Sequence, residues 1–270
     1  MNDQNPRARQ ILESPSEIFH EASKLRESDI SLGRAVWSVN TSAPIKRVIS
    51  NPATSFVGYP VVSLPVDSAA LNMPLSEAFL ARRSVRVFSG DKLTLRELSS
   101  ILYYGGAVTG SSVDHHGISW GLRCAPSGGA LYPIDVYCVI QNVESVEAGV
   151  YSYDPKAHDL EMLRSGMHTQ EVTSAAFLDE AVAKASVLVL LSANFSRTKF
   201  KYGERGYRFA LIEAGHIGQN LLLASHSLGI GSLPVGGFLD DRMNALVGAD
   251  GCDRAVVYGV LVGRVGPKTI

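Results

Sequence analysis

The stretch at residues 200–238 contains the longest helical pattern of the chain and constrains its fold most strongly. Apolar residues recur at helical spacing over residues 205–228, and Gly229 supplies a stop signal, so we expect one long and largely buried helix there. Small residues repeat at every fourth position of this helix: Ala210, Ala214 and Gly218. Such a seam allows the close approach of another helix or of a flat ligand, and the pattern alone leaves both open.

Two apolar runs, at residues 185–192 and 255–263, have the length of strands and no polar alternation. This pattern is typical of strands that are covered on both faces, near the centre of a sheet. Residues 149–153 and 160–163 predict a β-hairpin, and His158 in its turn is expected to face solvent. The chain therefore combines a buried sheet with long helices.

A length of 270 residues predicts one large domain with an appendage. Residues 1–65 are rich in Ser and Pro, and we interpret them as an amino-terminal arm, with a short helix near Phe19 and an extended segment at residues 57–64. Residues 66–270 form the predicted main domain. A capping box at residues 94–97 opens a structural helix that stops at the Gly105–Gly106 pair.

Charge and composition exclude several classes of partner. The net charge is −1 and the pI is about 6.7, so a nucleic-acid partner or an anionic membrane surface is not expected. The chain has neither a signal peptide nor an apolar run of about 18 residues. Three unpatterned cysteines support neither a disulfide framework nor a zinc site. These features predict a cytoplasmic protein.

Two polar segments are candidate ligand sites. Residues 82–86 hold three arginines and a serine, which suit phosphate oxygens but equally fit a solvated basic face. The turn at residues 126–129 could direct backbone amides at an anion, or could serve only to enter the strand that follows. Glu213 and His216 form an ExxH pair, but a di-metal site needs a second such helix, so no metal is predicted.

Five segments occur in an order that resembles the nitroreductase-like flavoproteins, and within them the SagB-type branch, which includes the azoline dehydrogenases of the microcin class. These segments are RRSVR at 82–86, PSGGALYP at 126–133, KYGERGYR at 201–208, EAGHIGQN at 213–220 and LPVGGF at 233–238. The resemblance spans about residues 55–264. It implies an α+β fold with a mixed, mainly antiparallel sheet wrapped by helices. It also implies an intertwined homodimer with FMN sites built from both subunits.

The resemblance also assigns the cofactor-binding residues. The FMN phosphate and ribityl chain would contact Arg82, Arg83, Ser84, Arg86 and Arg264. The other subunit would contribute Pro126, Ser127, Gly128 and Gly129, and the long helix would contribute Gln219. The flavin ring would be bordered by Leu233, Pro234, Val235, Gly236 and Gly237, whose amides are expected to stabilise negative charge on it.

Lys201 and Tyr202 match the Lys–Tyr pair that the resemblance implicates in catalysis. Oxidation of an azoline to an azole removes a hydride and a proton from adjacent ring carbons, so a base is needed beside the flavin. Lys201 can be this base if burial, or the neighbouring Arg205 and Arg208, lowers its pKa. An ordinary solvated lysine before a helix is the alternative.

The resemblance implies an FMN-dependent dehydrogenase that aromatises thiazoline or oxazoline rings on a precursor peptide or a carrier-bound substrate. A cyclodehydratase complex would be its partner, beside a second copy of the chain. Two alternatives stay open: an NAD(P)H-dependent nitro- or enone-reductase, and a non-catalytic FMN-binding scaffold of a synthetase complex.

Overall fold

A seven-stranded sheet forms the centre of the chain in a computed structural model, which describes residues 14–26, 29–50, 56, 58–66, 70–166 and 168–267. Its order from edge to edge is β1 (Val61–Ser63), β6 (Asp159–Ser165), β5 (Gly149–Asp154), β4 (Ile134–Ile140), β7 (Val187–Asn194), β9 (Arg254–Gly263) and β8 (Gly231–Val235). Every strand pair in it is antiparallel. A separate hairpin pairs β2 (Val108–Val113) with β3 (Ser119–Arg123).

Helices cover both faces of the sheet, which confirms the predicted α+β architecture. In chain order they are α1 (Pro15–Ala22), α2 (Ile30–Thr41), α3 (Ala43–Ile49), α4 (Leu75–Ala81), α5 (Leu95–Gly106), α6 (Thr169–Ala176), α7 (Asp179–Lys184), α8 (Ser196–Tyr202), α9 (Arg205–Ser227) and α10 (Asp240–Val247). Within the described residues, none of these helices is long and apolar enough to cross a membrane.

Strand β7 shows why its sequence is an unbroken apolar run. Val187, Val189 and Leu191 pack into the core beneath α5 and α9, whereas Leu188 and Leu190 pack into the core beneath α6, α7 and α10. Successive side chains of a strand point to opposite faces, so a strand with a core on each side needs an apolar residue at every position. The predicted double burial of this strand is confirmed.

The predicted cap of α5 is present. The Thr94 hydroxyl accepts a hydrogen bond from the Glu97 amide, and the Glu97 carboxylate accepts one from the Thr94 amide. This reciprocal pair satisfies two backbone donors that the first turn leaves open. The helix ends at Gly106 and packs along α9.

The amino-terminal arm contains helices that the sequence analysis did not predict. Residues 38–41 complete α2, and residues 43–49 form α3. Pro44 lies in the first turn of α3, where its missing N–H costs nothing, so it starts a helix rather than a loop. Strand β1 pairs with β6, and Leu64 is buried in the core. The proposed boundary at residue 65 stays a prediction, and residues 61–63 of the proposed arm form an edge strand of the main sheet.

His158 in the β5–β6 turn is buried, so its expected exposure to solvent is wrong. One ring nitrogen hydrogen-bonds to the Tyr153 hydroxyl at 2.8 Å and the other to the Ser99 hydroxyl at 2.8 Å. Ser99 lies on α5, which crosses over this turn. A neighbouring helix therefore removes from water a residue that the local sequence places at the surface.

Helix α9 has the predicted bounds to within one residue, but it is buried on one face only. Its small-residue seam is internal, because Ala210 and Ala214 join the core and Gly218 faces the ring of Tyr258 on β9. The chain itself thus accounts for the seam, without a second subunit. Leu211 and Ile212, at 40% and 56% exposure, lie outside, so the expectation that the helix is largely buried holds for one face only.

Two glycines of α9 allow the packing of its first turn to be tested. A Cβ at Gly206 would lie 2.6 Å from the Thr198 carbonyl carbon of α8, and this backbone cannot yield as a side chain can. We expect Gly206→Ala to lower the free energy of unfolding by about 1–3 kcal/mol. Gly215 has open space around its Cα, and Gly215→Ala should raise it by about 0.5–1 kcal/mol. Urea unfolding of both variants checks this, and equal losses would contradict the packing described.

Candidate active site

The residues expected to form the site fall into two groups on this chain. The first group, which we call the β8 edge, consists of residues 82–86, residues 233–237 and Arg264. The second, the Lys201 cavity, is a space of about 270 Å³ lined by Val39, Asn40, Lys46, Ile49, Ser112, Trp120, Leu122, Gly129, Ala130 and Lys201. None of the residues of the β8 edge lines this cavity.

Backbone pairing assembles the β8 edge. The Val85 amide donates to the Ser232 carbonyl at 2.9 Å, and the Ser89 amide donates to the Arg264 carbonyl at 3.0 Å. Phe88 forms an isolated bridge with Val265. The segment after α4 therefore runs beside β8 and the end of β9, which brings the arginine segment next to Arg264, as expected.

The arginines of the β8 edge differ in what they contact. Arg83 donates through Nη1 to the carbonyls of Leu80 and Arg82, at 2.9 and 2.8 Å, and so caps the end of α4. Arg264 is paired with Glu97 at 2.8 Å. Arg82 has a buried Nη1 without a hydrogen-bond partner in the described part of the chain. A buried guanidinium donor in this state suits an anionic ligand such as a phosphate.

The amides of β8 fit the expected role only in part. Ser232 directs its carbonyl to the outer edge, and alternation along the strand turns the backbone groups of Leu233 and Val235 towards β9. Pro234 also faces the outer edge and has no N–H to donate, a residue tolerated in a sheet at an edge strand. The amides that can face a ring are thus those of Gly236 and Gly237, which are exposed and have open space around them.

Lys201 is the polar centre of the second group. It lies at the end of α8 and is 6% exposed, so it is not the solvated lysine of the alternative interpretation. Its Nζ donates to Oδ1 of Asn40, at 3.0 Å, from helix α2 of the arm. The Tyr202 ring lies 5.3 Å from this nitrogen and contacts the Phe209 ring edge-on.

The turn at residues 126–129 borders the same cavity. A Cβ on Gly129 would collide with the Tyr202 hydroxyl and would lie 3.0 Å from the Lys201 nitrogen, so a residue without a side chain is needed there. Gly129, Ala130 and Tyr132 all have positive φ angles, of 67°, 54° and 46°. Such conformations cost energy for residues with a Cβ and cluster at functional sites. The Ser127 hydroxyl secures the turn by accepting from the Tyr132 amide at 2.9 Å.

Burial lowers the pKa of Lys201, and the positive charge of Lys46 lowers it further. The expected contribution of Arg205 and Arg208 is absent from these causes. Arg208 instead donates to the Ser23 hydroxyl and the His20 carbonyl, at 2.8 and 2.6 Å, and so holds α1 against α9. The cation that acts on Lys201 comes from the arm, which sequence proximity could not show.

Glu213 is a site residue whose environment the sequence analysis missed. It is 2% exposed, and neither of its carboxyl oxygens accepts a hydrogen bond of normal geometry from the described residues, although the Ser127 hydroxyl and the Ile134 backbone lie near them. Burial raises its pKa to about 7, although Ser127, Arg123 and Arg197 act to lower it. The sequence did contain a signal of this environment, because the helical pattern places the acidic Glu213 on the buried face of α9. Its position near Ser127 places a carboxyl beneath the turn that borders Lys201.

Helix α9 separates the two groups. Phe209 packs against Gly128, beside the Lys201 cavity. Gly218 instead contacts the ring of Tyr258, and the charge of Arg82 acts to lower the pKa of that phenol. Nine residues of helix correspond to about 13 Å. Gln219 lies on the exposed face of this helix and does not line the Lys201 cavity. The described residues contain no cluster of three or more metal-binding side chains.

Comparison with known proteins gives consistent results. A model of the nitroreductase family matches residues 80–264. The chain is 36% identical, over 194 residues, to a protein of Methanocaldococcus jannaschii that carries a provisional nitroreductase name, and the match covers 72% of this chain and 91% of the relative. It is 29% identical over 199 residues to the microcin B17-processing protein McbC of Escherichia coli, with 70% of each protein covered.

Two solved structures share the fold. A protein of Anabaena variabilis, provisionally named a nitroreductase, superposes with a TM-score of 0.72 and 25% identity over 93% of this chain, which spans about half (47%) of that chain. A chain of the E. coli microcin synthetase McbBCD complex, with truncated pro-MccB17 bound, superposes with a TM-score of 0.58 and 25% identity. That match covers 91% of this chain and 100% of the E. coli chain.

The buried carboxyl of Glu213 predicts a specific pH dependence of stability. Its pKa rises from 4.5 to about 7 on folding, so the stability that the neutral carboxyl contributes is complete below pH 4.5 and is lost as the pH rises through about 7. Glu213→Gln keeps a neutral group at every pH. We therefore expect the Tm difference, variant minus wild type, to increase as the pH rises from about 5 to about 8.

Thermal unfolding at several pH values measures this difference. The control is Glu180→Gln, whose side chain is 84% exposed and should give a difference independent of pH over the same range. A Glu213→Gln difference that stays constant with pH would mean that the carboxyl is ionised in the folded protein throughout.

Proposed function

Because the chain belongs to the nitroreductase family, we propose that it is an FMN-dependent dehydrogenase that oxidises thiazoline or oxazoline rings to thiazoles or oxazoles. The observation that carries this proposal is the buried amine of Lys201, with its lowered pKa, beside Tyr202 and the Gly129 turn. The similarity to McbC, a protein named for processing microcin B17, supports a peptide as the carrier of the rings.

The reaction needs two hydrogen acceptors. FMN, when bound, would supply the acceptor for the hydride, that is, for the hydrogen together with the electron pair of its C–H bond, with oxygen as the final electron acceptor. The Nζ of Lys201 takes the proton from the adjacent ring carbon, whose electron pair forms the new ring double bond. A neutral amine can do this, since one N–H is directed to Asn40 and its lone pair remains for the substrate.

Tyr202 acts as a donor in this proposal. Burial raises the pKa of its phenol, so the hydroxyl keeps its proton at neutral pH. Edge-on contact with Phe209, at a centroid distance of 5.0 Å, orients the ring. Its hydroxyl, beside Gly129, can hydrogen-bond to a ring nitrogen or to a neighbouring carbonyl of the substrate and so hold the reacting carbon near Lys201.

The separation of the two groups supports a site built from two chains. The β8 edge suits the phosphate and the ring of FMN, through Arg82 and the amides of Gly236 and Gly237. The Lys201 cavity shares no lining residue with this edge. A second copy that places its Gly129 turn against this β8 edge would complete two equivalent sites in a homodimer.

Exposed apolar side chains on adjacent helices support the same assembly. Leu75, Phe79 and Leu80 of α4 are exposed by 62%, 57% and 78%, and α4 packs beside α9, which exposes Leu211 and Ile212. A surface of this kind marks a contact between proteins. The McbBCD structure, a microcin synthetase complex with truncated pro-MccB17 bound, supports a synthetase complex and a precursor peptide as further partners. We propose that the complex includes a cyclodehydratase and acts in the cytoplasm.

A second candidate function is an NAD(P)H-dependent nitro- or enone-reductase. The 36% identity to the M. jannaschii relative favours it, because that protein carries a nitroreductase name. The two functions differ in the electron donor. Stopped-flow mixing of the FMN-loaded protein with NADPH separates them, since rapid bleaching of the flavin supports the reductase and its absence supports the dehydrogenase.

Removal of the Lys201 amine tests the dehydrogenase directly. We expect Lys201→Met to retain FMN but to slow azoline oxidation roughly 100- to 10,000-fold, which is the usual contribution of a positioned base. Oxidation of a synthetic thiazoline peptide is followed by mass spectrometry as the loss of two hydrogen atoms. Lys199→Met is the control, because Lys199 lies on the same helix and pairs with the exposed Glu204 instead. Equal rates in the two variants would overturn the role of Lys201.

The β8 edge predicts unequal contributions to FMN binding. Arg82 has a buried donor without a partner, whereas Arg83 is occupied by two carbonyls. We expect Arg82→Gln to weaken FMN binding roughly 10- to 100-fold, as for a lost hydrogen bond to a charged group, and Arg83→Gln to weaken it less. Titration of the apoprotein against FMN fluorescence measures both constants, and a larger loss for Arg83→Gln would contradict this assignment.

A further inference from the structure

The arm reaches the amine of Lys201 directly. Asn40, on α2, accepts the hydrogen bond from Nζ at 3.0 Å although 161 positions separate the two residues. Val39 and Asn40 of α2 and Ile49 of α3 line the cavity beside it. One wall of the space around the proposed base is therefore made by helices that lie outside residues 80–264, the part that the nitroreductase family model matches.

Lys46 carries a second buried ammonium group into the same cavity. Its Nζ is paired with Asp114 at 2.6 Å, and the two side chains are only 10% and 15% exposed. Asp114 lies in the β2–β3 turn, where its other carboxyl oxygen accepts from the amides of His116 and Ile118 at 2.8 and 3.0 Å. Lys46 and these amides hold the pKa of Asp114 well below its usual range. This ion pair fastens α3 to the hairpin.

The polar groups around Lys201 stabilise its charge poorly. Among the described residues that line the cavity there is no carboxylate, and the acceptor from α2 is a neutral amide oxygen. Lys46 contributes a positive charge from α3, Tyr202 contributes a protonated phenol from α8, and Gly129 contributes only backbone from the turn. The Asp114 carboxylate of the hairpin pairs with Lys46 and not with Lys201. An ammonium group at Lys201 thus has a like charge nearby and no opposite charge in contact.

We propose that the arm is a functional part of this active site, in which Asn40 positions the amine of Lys201 and Lys46 opposes its protonation. Asn40 is a positioning residue, since it acts through Lys201 and not on the substrate. The inference rests on the proposed function, because it explains how the proton-accepting amine is prepared. A chain without the arm would leave Lys201 exposed to water and to its ordinary, protonated state.

Substitutions in the arm test this inference through the direction in which each one shifts the proton affinity of Lys201. Asn40→Asp places a carboxylate against the amine and should raise the proton affinity of Lys201 at least tenfold. Asn40 is itself exposed, so the fold should accept this change. Lys46→Met removes the opposing charge and should shift the affinity in the same direction. Asn40→Ala should not raise the affinity but should lower kcat more than it changes KM, since the amine loses its orientation.

The measurement is the titration of Lys201 in FMN-loaded, substrate-free protein, followed by NMR of lysines labelled with ¹³C at Cε and assigned with Lys201→Arg. Ser38→Asp and Arg47→Met are the controls, because both positions are exposed neighbours on α2 and α3. They should leave the midpoint unchanged. The rising limb of the pH profile for azoline oxidation should move to higher pH in Asn40→Asp by the same amount as the NMR midpoint.

The outcomes separate the two proposals. A wild-type midpoint in Asn40→Asp, or an equal shift in Ser38→Asp, overturns the role of the arm whatever the substrate is. Shifted midpoints in a protein that oxidises no azoline at any pH support the control of Lys201 by the arm and overturn the proposed reaction. Shifts in the midpoint and in the pH profile together support both.

Discussion

The packing of α9 on the central sheet is the contact on which the rest of the structure depends. Ala210 and Ala214 allow the helix to lie close to the core, and Gly218 admits the ring of Tyr258 from β9. At Gly218 the packing is close, since an added Cβ would lie 2.5 Å from the ring of Tyr258. The helix in turn supports the Gly128 turn at one end and borders the arginine segment further along. Both halves of the candidate site therefore take their positions from one helix.

Two titratable side chains near the Ser127–Gly129 turn are shifted towards their neutral forms. Burial lowers the pKa of the Lys201 amine and raises the pKa of the Glu213 carboxyl to about 7. The two shifts have the same physical origin, which is the loss of hydration by a charged group. A lowered amine pKa favours the neutral form that the proposed removal of a proton from carbon requires. Perturbed titratable groups near a turn with positive φ angles are the reason for proposing a catalytic site here.

Much of the fold could be predicted from sequence because its signals are local. The capping box at Thr94 and Glu97, the two-sided apolar run of β7 and the bounds of α9 each depend on neighbours within a few positions. An expectation that proved wrong depends on a contact between distant segments. His158, expected to face solvent, is covered by Ser99 of α5. This neighbour cannot be found from the surrounding sequence.

The sequence by itself determined which residue types the site contains, the order of its segments and the central strands of the sheet. Only the tertiary structure decided what those residues contact. It brings Asn40 and Lys46 to Lys201, engages Arg83 with the carbonyls at the end of α4 and leaves Arg82 with an unpartnered donor among the described residues. The physical reason is that apolar periodicity reports burial along one element, whereas the charge state and the hydrogen bonds of a side chain depend on groups brought from elsewhere in the chain.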